Sequence, residues 1–297
     1  MRLSQEVLQL ICGEYAHRGA EFDVEREPGS DVEDIPVQFP AARRDLATKL
    51  CLVSRSFYAA TKRVVWEWVV LQSVDDFAAL AERDSWRDMG WRTRRLDIAI
   101  RFEEGTESHS RYDGQRLRQI LEKMPQLRVL VLNNTIDRPG QPWTTAAMSE
   151  EIVRAIVACK TIERLEMASA TDPIHCLDFA RLSQGSESLK SLYLAAGTRV
   201  DREGTRAALN LPFQATVFPR LQRLTLGCRT TGIMPSVISR MGGEDVNPIA
   251  SLGRIDVRFW VSTWSNQCIT FLSQQGPYLH TFEWAIPPNP MLLSWEP

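Results

Sequence analysis

The sequence predicts an α/β fold in which a short helical region at the N terminus precedes an irregular solenoid of strand–helix units. Three observations lead to this prediction. A six-residue apolar pattern returns along most of the 297-residue chain, helical apolar spacing separates its copies, and roughly the first 70 residues carry helix-capping signals instead. A chain of this length has ample material for one large domain or two.

The repeated pattern is a hexad of the form apolar-x-x-apolar-x-apolar. Its successive copies start 27 to 35 residues apart, which is a typical solenoid period. Pro125, Pro219 and Pro277 each stand two residues before a copy, where a helix must end before a strand begins. The eight copies begin at Trp66, Thr93, Leu127, Ile162, Leu189, Leu221, Leu252 and Leu279.

Between the hexads the apolar spacing becomes helical, as in the segments 117–124 and 152–157. Each unit is therefore predicted to be a short strand followed by a helix. A lone unit cannot bury its apolar face, whereas stacked neighbours form a continuous core. Because strand side chains alternate, hexad positions four and six should point into this core and positions three and five should face outward.

Over residues 66–284 the pattern resembles leucine-rich repeats. The resemblance implies parallel strands on a concave face and helices on a convex face. The Asn or Cys that such repeats carry three residues after the hexad is absent, since Thr135, Ala170, Gly197 and Arg229 occupy those places. We therefore expect irregular repeats without an asparagine ladder. An unrelated alternation of strands and helices is the alternative.

The N-terminal region carries three helix signals. Ser4 is a predicted cap for a first helix, Asp45 for a short second one and Ser54 for a third. The predicted apolar faces are Val7, Leu8, Ile11 and Tyr15 on the first helix, Leu46 and Leu50 on the second, and Phe57, Tyr58, Thr61, Val64 and Val65 on the third.

An acidic insertion separates the first two of these helices, at about residues 17–42. Its segment 21–34 holds seven acidic residues against the single basic residue Arg26. Such a segment cannot contribute much core, so we expect a mobile surface loop.

Residues 3–11, 45–58 and 65–71 together resemble an F-box, with Ser4 in the place of the usual proline and Trp66 as the closing tryptophan. With the repeats behind it, the whole chain is similar to F-box proteins with degenerate leucine-rich repeats, particularly the fungal type. The resemblance implies an F-box-like helical domain at residues 1–71 and a leucine-rich-repeat domain at residues 72–297.

This resemblance also implies a function. An F-box protein is the substrate-recognition subunit of a cullin–RING (SCF-type) ubiquitin ligase: the F-box binds a Skp-type adaptor and the repeats hold a target protein. The alternatives are a helical cap over the first repeat and a repeat scaffold without a ligase role. The implied adaptor-binding residues are Leu3, Glu6, Val7, Leu8, Ile11, Leu50, Val53 and Phe57.

For the unknown protein substrate, the outward hexad positions offer Arg164, Tyr193, Arg223 and Arg254. We expect Tyr193, flanked by arginines on both neighbouring strands, to contribute most, because aromatic and Arg side chains dominate protein recognition. The alternative for the arginines is pairing with a carboxylate two residues further on, as Arg164 with Glu166.

Composition and motifs exclude several other classes. The chain has 35 Lys and Arg against 37 Asp and Glu, so its net charge of −2 gives no reason to expect a nucleic-acid or membrane partner. Six widely spaced cysteines favour reduced thiols and a cytoplasmic or nuclear location.

No nucleophile elbow, zinc-protease helix, P-loop or dinucleotide motif occurs, and the four histidines are scattered. We therefore expect a protein that is not an enzyme and has no cofactor or metal. A small-molecule sensor with its ligand among the nine tryptophans is a weaker alternative, because core packing explains those residues more simply.

Overall fold

The computed structural model contains a helical N-terminal region, a long parallel sheet and helices between the strands of that sheet. It describes residues 4–16, 24, 49–82, 90–103, 114–133, 135–137, 150–167, 174–194, 198–199, 218–226, 249–257 and 272–284. The predicted acidic loop at 21–34, apart from the buried Val24, and the predicted cap Asp45 lie outside these ranges.

The first and third N-terminal helices begin where the sequence predicts, whereas the described part of the second is a 3-10 helix that starts only at Leu50. Helix α1 spans Gln5–Ala16, a 3-10 helix spans Leu50–Leu52 and helix α2 spans Arg55–Val65. The Ser54 hydroxyl accepts the backbone N–H of Phe57 at 3.2 Å, and the Ser4 hydroxyl accepts that of Val7 at 3.3 Å. Both predicted serine caps are confirmed, and each satisfies a backbone donor that a helix start leaves open.

These helices share a small core that is separate from the core of the sheet. Leu8, Cys12, Ala60 and Val64 form it, with partly buried neighbours around them. The predicted apolar face of α1 is therefore partly wrong, because its buried residues are Leu8 and Cys12. A single neighbouring helix covers only one stripe of α1 and leaves its other apolar side chains in water.

The main sheet has eight strands, all parallel and in chain order, so the predicted α/β fold is confirmed. Two small two-stranded sheets, β3–β5 and β7–β9, flank it. The strands of the main sheet are β1 Trp68–Leu71, β2 Arg95–Ile98, β4 Val129–Leu132, β6 Arg164–Met167, β8 Ser191–Leu194, β10 Arg223–Leu226, β11 Arg254–Val257 and β12 Thr281–Trp284. The short strands are β3 Arg101–Glu103, β5 Thr135–Asp137, β7 Ile174–His175 and β9 Thr198–Arg199.

Each of the eight long strands occupies positions three to six of one hexad. Neighbouring strands pair the same hexad positions, as Leu192 does with Leu224 and Tyr193 with Thr225. The strand positions and their register are therefore those that the hexads predict. Strand β1 lies before residue 72, so the sheet begins within the range assigned to the helical domain.

The helices between strands lie on one face of the sheet. They are α3 Val74–Glu82, α4 Gly114–Glu122, α5 Glu150–Ala158 and α6 Cys176–Gly185, and each contacts the next. Their apolar residues and hexad positions four and six form one continuous core, as stacked units require. Gly114 and Gly185 lie so close to Glu151 and Val157 of α5 that a Cβ at either glycine would clash.

A backbone ladder ties each strand to the next. The carbonyl oxygen at hexad position two accepts the N–H groups at positions two and three of the following copy, at 2.7 to 3.1 Å. Glu67, for example, accepts from Arg94 and Arg95. All seven junctions between the eight described strands repeat this bond pair, which uses both lone pairs of the oxygen.

The three prolines before hexads stand in tight turns. In the turns 124–127, 218–221 and 276–279 the last N–H donates to the first carbonyl, with proline second. Proline favours that place because its φ is already close to the required value. Phe218 opens the second turn with a φ of 48° and packs against Phe179, at 5.8 Å between ring centroids.

The assignment of hexad position four to the core predicts how substitutions there change the stability of the fold. Leu192→Ala or Leu224→Ala should lower the free energy of unfolding by about 2–5 kcal/mol, because each removes fully buried apolar volume. Leu52→Ala is the matched control: Leu52 is 80% exposed, so we expect a change below about 0.5 kcal/mol. Urea unfolding followed by circular dichroism measures both. Equal effects at positions 52 and 192 would contradict the assigned core.

Candidate protein-binding surfaces

Exposed large apolar side chains are concentrated in the helical region. Of nine exposed large apolar side chains among the described residues, six lie on α1, the 3-10 helix and its end, and α2, so the exposure is concentrated there. We call these six the helical apolar set: Val7 (39% exposed), Leu10 (65%), Ile11 (44%), Leu52 (80%), Val53 (62%) and Tyr58 (54%). Clustered exposed apolar residues are typical of a protein-interaction site.

Some of the predicted adaptor-binding residues are exposed in the structure and others are buried. Val7, Ile11 and Val53 are exposed, and so is Glu6. Leu8 is buried, whereas Leu50 and Phe57 are partly buried against the helical core. For Leu8 the expectation of an accessible side chain is wrong, because it fills the contact between α1 and α2. Leu3 lies outside the described residues.

The predicted adaptor contacts omit Leu10, Leu52 and Tyr58. The placement of Tyr58 on the apolar face of the third helix is wrong, because its side chain is 54% exposed. The missed signal is the number of apolar positions on α1: Val7, Leu10 and Ile11 form a second apolar stripe beside the one that Leu8 starts. A helix with two such stripes and a single small neighbour must leave one of them exposed.

Glu6 carries a negative charge beside the exposed apolar side chains. Its own backbone N–H, and then the Ser4 hydroxyl, hold the pKa of its carboxyl below the ordinary value. Both donors belong to the start of α1, where a helix stabilises negative charge. The helical surface is therefore apolar with an acidic residue at one end of α1.

The other face of the sheet carries hexad positions three and five, and we call it the charged face. At its N-terminal end Asp97 accepts hydrogen bonds from the Trp68 indole at 2.9 Å and from the Arg95 guanidinium at 2.8 and 3.1 Å. The guanidinium also lies over the Trp68 ring, 4.3 Å from its centroid. Trp68 is thus a packing residue with a satisfied N–H.

A second cluster lies on β10, β11 and β12. Asp256 is 3% exposed and accepts from Arg223 at 2.7 Å, from Arg254 at 2.8 Å and from the Thr225 hydroxyl at 3.2 Å. Arg254 also bonds Glu283 at 2.9 Å. Each carboxylate thus offsets one or two neighbouring guanidinium charges, which is the condition for burying them.

Most of this face is not accessible, in contrast to the prediction. Arg164 is 1% exposed and pairs with Glu166, and Arg223 is 7% exposed, so the expected accessibility of these two arginines is wrong. Carboxylates within hydrogen-bonding reach replace the water that would otherwise solvate them. Tyr193 is partly buried, and the Arg254 side chain is 36% exposed. The alternative pairing of Arg164 with Glu166 and of Arg254 with Asp256 is confirmed.

Two carboxylates at hexad position two, those of Glu163 and Glu67, have pKa values that are shifted in opposite directions. Glu163 accepts from Arg128 at 2.8 Å and from Lys190 at 3.0 Å, and the Arg128 hydrogen bond lowers the pKa of its carboxyl. For Glu67 burial is the larger effect and raises the pKa, although Arg94 and two other arginines oppose it. The two side chains should therefore respond to pH with opposite sign.

In the described ranges no group of three or more His, Cys, Asp or Glu side chains could hold a metal ion. Among the described cysteines Cys12, Cys51 and Cys159 are free thiols. No described helix is long and apolar enough to cross a membrane.

Comparisons with known proteins add little. No protein-family model matches the chain, and no curated protein matches it. A crystal structure of a protein from Bacteroides fragilis aligns with 71% of this chain and 69% of its own, at 13% identity and a TM-score of 0.34. A likeness this weak carries no argument about fold or function.

The ion pairs of buried Asp256 predict a large effect on stability. Asp256→Asn should lower the free energy of unfolding by about 3–5 kcal/mol, because it leaves a buried guanidinium without its countercharge. Glu283→Gln is the control: it removes a bond to the same Arg254 at a side chain that is 55% exposed and should cost less than about 1 kcal/mol. Chemical unfolding measures both, and similar losses would contradict the importance of the buried cluster.

The carboxylates at hexad position two, Glu163 and Glu67, predict opposite contributions of ionisation to stability. Above the ordinary carboxyl pKa of 4.5 the lowered pKa of Glu163 stabilises the fold, and this contribution is lost as the pH falls through the lowered pKa. Glu163→Gln should therefore cost up to about 1 kcal/mol at pH 7 and progressively less below pH 4.5. Because the pKa of Glu67 is raised, its ionisation opposes folding, and Glu67→Gln should stabilise at pH 7. Unfolding between pH 3 and pH 7 tests this; shifts of the same sign would contradict it.

Proposed function

We propose that this chain is the substrate-recognition subunit of a cullin–RING (SCF-type) ubiquitin ligase. In this proposal the helical region binds a Skp-type adaptor, the repeats hold a target protein, and the chain has no active site of its own. Its contribution is proximity: a target held near a charged conjugating enzyme receives ubiquitin in an effectively intramolecular reaction.

The observation that carries the proposal is the helical apolar set. Val7, Ile11 and Val53 belong to the segments that resemble an F-box, and all three are exposed. The helical core leaves them uncovered, so a partner with a complementary apolar groove would gain their burial. Glu6, with its depressed pKa, supplies a fixed charge that such a partner can pair with a Lys or Arg.

Burial on the charged face reduces the number of predicted residues that could contact a target protein. Arg164 and Arg223 are buried in internal ion pairs. Their role in this proposal is to maintain the structure of the charged face, and not to contact the target protein. Tyr193 and Arg254 keep partial exposure and are the two of the four predicted residues that remain able to touch a partner. We therefore propose the strands β8, β10 and β11 as the target-binding region, with Tyr193 as its centre.

The adaptor proposal predicts a loss of binding on charge insertion. Ile11→Asp and Val53→Asp, made separately in the full chain, should each weaken binding of a purified Skp-type adaptor by about 100-fold. The reason is that an unpaired carboxylate buried at an interface costs several kcal/mol. Calorimetric titration measures the affinity, and circular dichroism checks the fold of each variant.

Trp91→Asp is the matched control. Trp91 is 41% exposed and lies outside the helical apolar set, so this variant should bind like the wild type. Leu8→Asp is unsuitable, because it would place a charge in the helical core. The ligase proposal fails if the wild type binds no Skp-type adaptor. If the wild type binds and Val53→Asp binds equally well, the proposed surface is wrong.

A repeat scaffold without a ligase role is the second candidate. The burial of Leu8 and the packing of Leu50 and Phe57 favour it, because these predicted adaptor contacts serve the helical core. Purification of the full chain from cells separates the candidates. A ligase receptor should co-purify with an adaptor and a cullin, whereas a scaffold without a ligase role should co-purify with neither.

A further inference from the structure

The last strand of the main sheet, β12, has one edge that no described strand covers. It belongs to the hexad 279–284, in which His280 occupies position two. At the seven described junctions the carbonyl oxygen of position two accepts two N–H groups from the next copy. No described residue donates a hydrogen bond to the carbonyl of His280. Within the described chain, the acceptor that joins all the other copies is therefore available at this end.

The side chain at position four of this last hexad also differs from its equivalents. Phe282 is 44% exposed, whereas each of the seven others is at most 4% exposed. Stacked units bury one another's apolar face, and no described unit follows β12. A strand beside β12 would therefore bury more of Phe282. The seven buried equivalents are Val69, Leu96, Leu130, Leu165, Leu192, Leu224 and Ile255.

The β12 edge, which we define by the His280 carbonyl, Phe282 and Glu283, sets the chemistry of a strand that could pair with it. Such a strand must offer N–H groups at positions two and three, so neither can be proline. Neighbouring strands pair equal hexad positions, as β11 and β12 do, so an apolar side chain at position four would pack beside Phe282. Position five would lie beside the exposed carboxylate of Glu283, where Lys or Arg is favoured.

We propose that the β12 edge binds an extended segment of a partner protein, which joins the main sheet as a further parallel strand with an apolar residue at position four and a basic residue at position five. In strand addition, main-chain hydrogen bonds supply affinity and alternate side chains supply specificity. The His280 carbonyl would supply the first of these hydrogen bonds, and Phe282 and Glu283 would select the side chains.

A second copy of this chain does not fit the edge in this way. In seven of the eight described hexads the N–H groups at positions two and three already donate to the preceding copy. In the first hexad the N–H of Glu67 donates at 3.1 Å to the carbonyl of Val64 near the end of α2. Residues 285–297 are also too few, because a parallel strand needs a crossover of about a dozen residues before it.

The test uses the full chain and a fluorescent hexad peptide, Leu-Gln-Arg-Leu-Lys-Leu, which is residues 221–226 with Thr225→Lys. Fluorescence anisotropy should show saturable binding. The matched peptide carries N-methyl groups on its second and third residues, which remove both N–H donors and keep every side chain. It should bind at least about tenfold more weakly, because two hydrogen bonds are lost. The peptide with Thr225→Glu should bind about twofold to tenfold more weakly, because it sets two carboxylates side by side.

Phe282→Asp should weaken binding of the hexad peptide by about tenfold or more, because the apolar side chain at position four would then meet a charge. Trp91→Asp is the matched control: Trp91 has a similar exposure and lies outside the β12 edge, so this variant should bind the peptide like the wild type. Circular dichroism checks the fold of both variants.

Absence of saturable binding, or equal affinity for the hexad peptide and its N-methylated form, would overturn the inference. Self-association of the wild type that Phe282→Asp abolishes, measured by analytical ultracentrifugation, would also overturn it, because a second copy would then cover the edge. Adaptor binding does not enter this test, since helix α2 contacts β1 at the opposite end of the sheet.

Discussion

The backbone ladder at hexad position two is the constraint on which the rest of the structure depends. One carbonyl oxygen accepts two N–H groups of the next strand, and the same pair of bonds recurs at all seven described junctions. This arrangement fixes the register between strands, so position four always meets position four. A slip of one residue would turn Leu192 outward and Tyr193 inward along the whole stack. The continuous core and the ordered charged face both follow from this register.

The register also explains how charge is buried on the second face. Arg95 meets Asp97 within one strand, whereas Arg223 meets Asp256 across two strands. Such pairs do not make a strong net contribution to stability, because desolvation offsets much of their attraction. The pair that crosses strands also favours the observed strand order, because a different neighbour of β10 would leave the buried Arg223 guanidinium without the Asp256 carboxylate. The charged face therefore supports the stacking order and leaves partial access at Tyr193 and Arg254.

The helical region follows a different physical rule. Its core consists of four buried residues, so two short helices cannot cover all their apolar side chains. The helical apolar set is therefore exposed beside a compact core. In the free protein these side chains remain in contact with water, whereas a partner that covers them would gain their burial.

The sequence by itself determined the eight strands, their register and the serine caps of α1 and α2, because these depend on alternation and on contacts a few residues apart. It also named Val7, Ile11 and Val53 as accessible apolar residues, and these are exposed, whereas Leu8 is buried. The tertiary structure alone decided which stripe of α1 is covered and that Arg164 and Arg223 are withdrawn from solvent. The physical reason is that burial depends on what a neighbour is large enough to cover. Pairs such as Arg223 and Asp256 form only once strands about 30 residues apart stack.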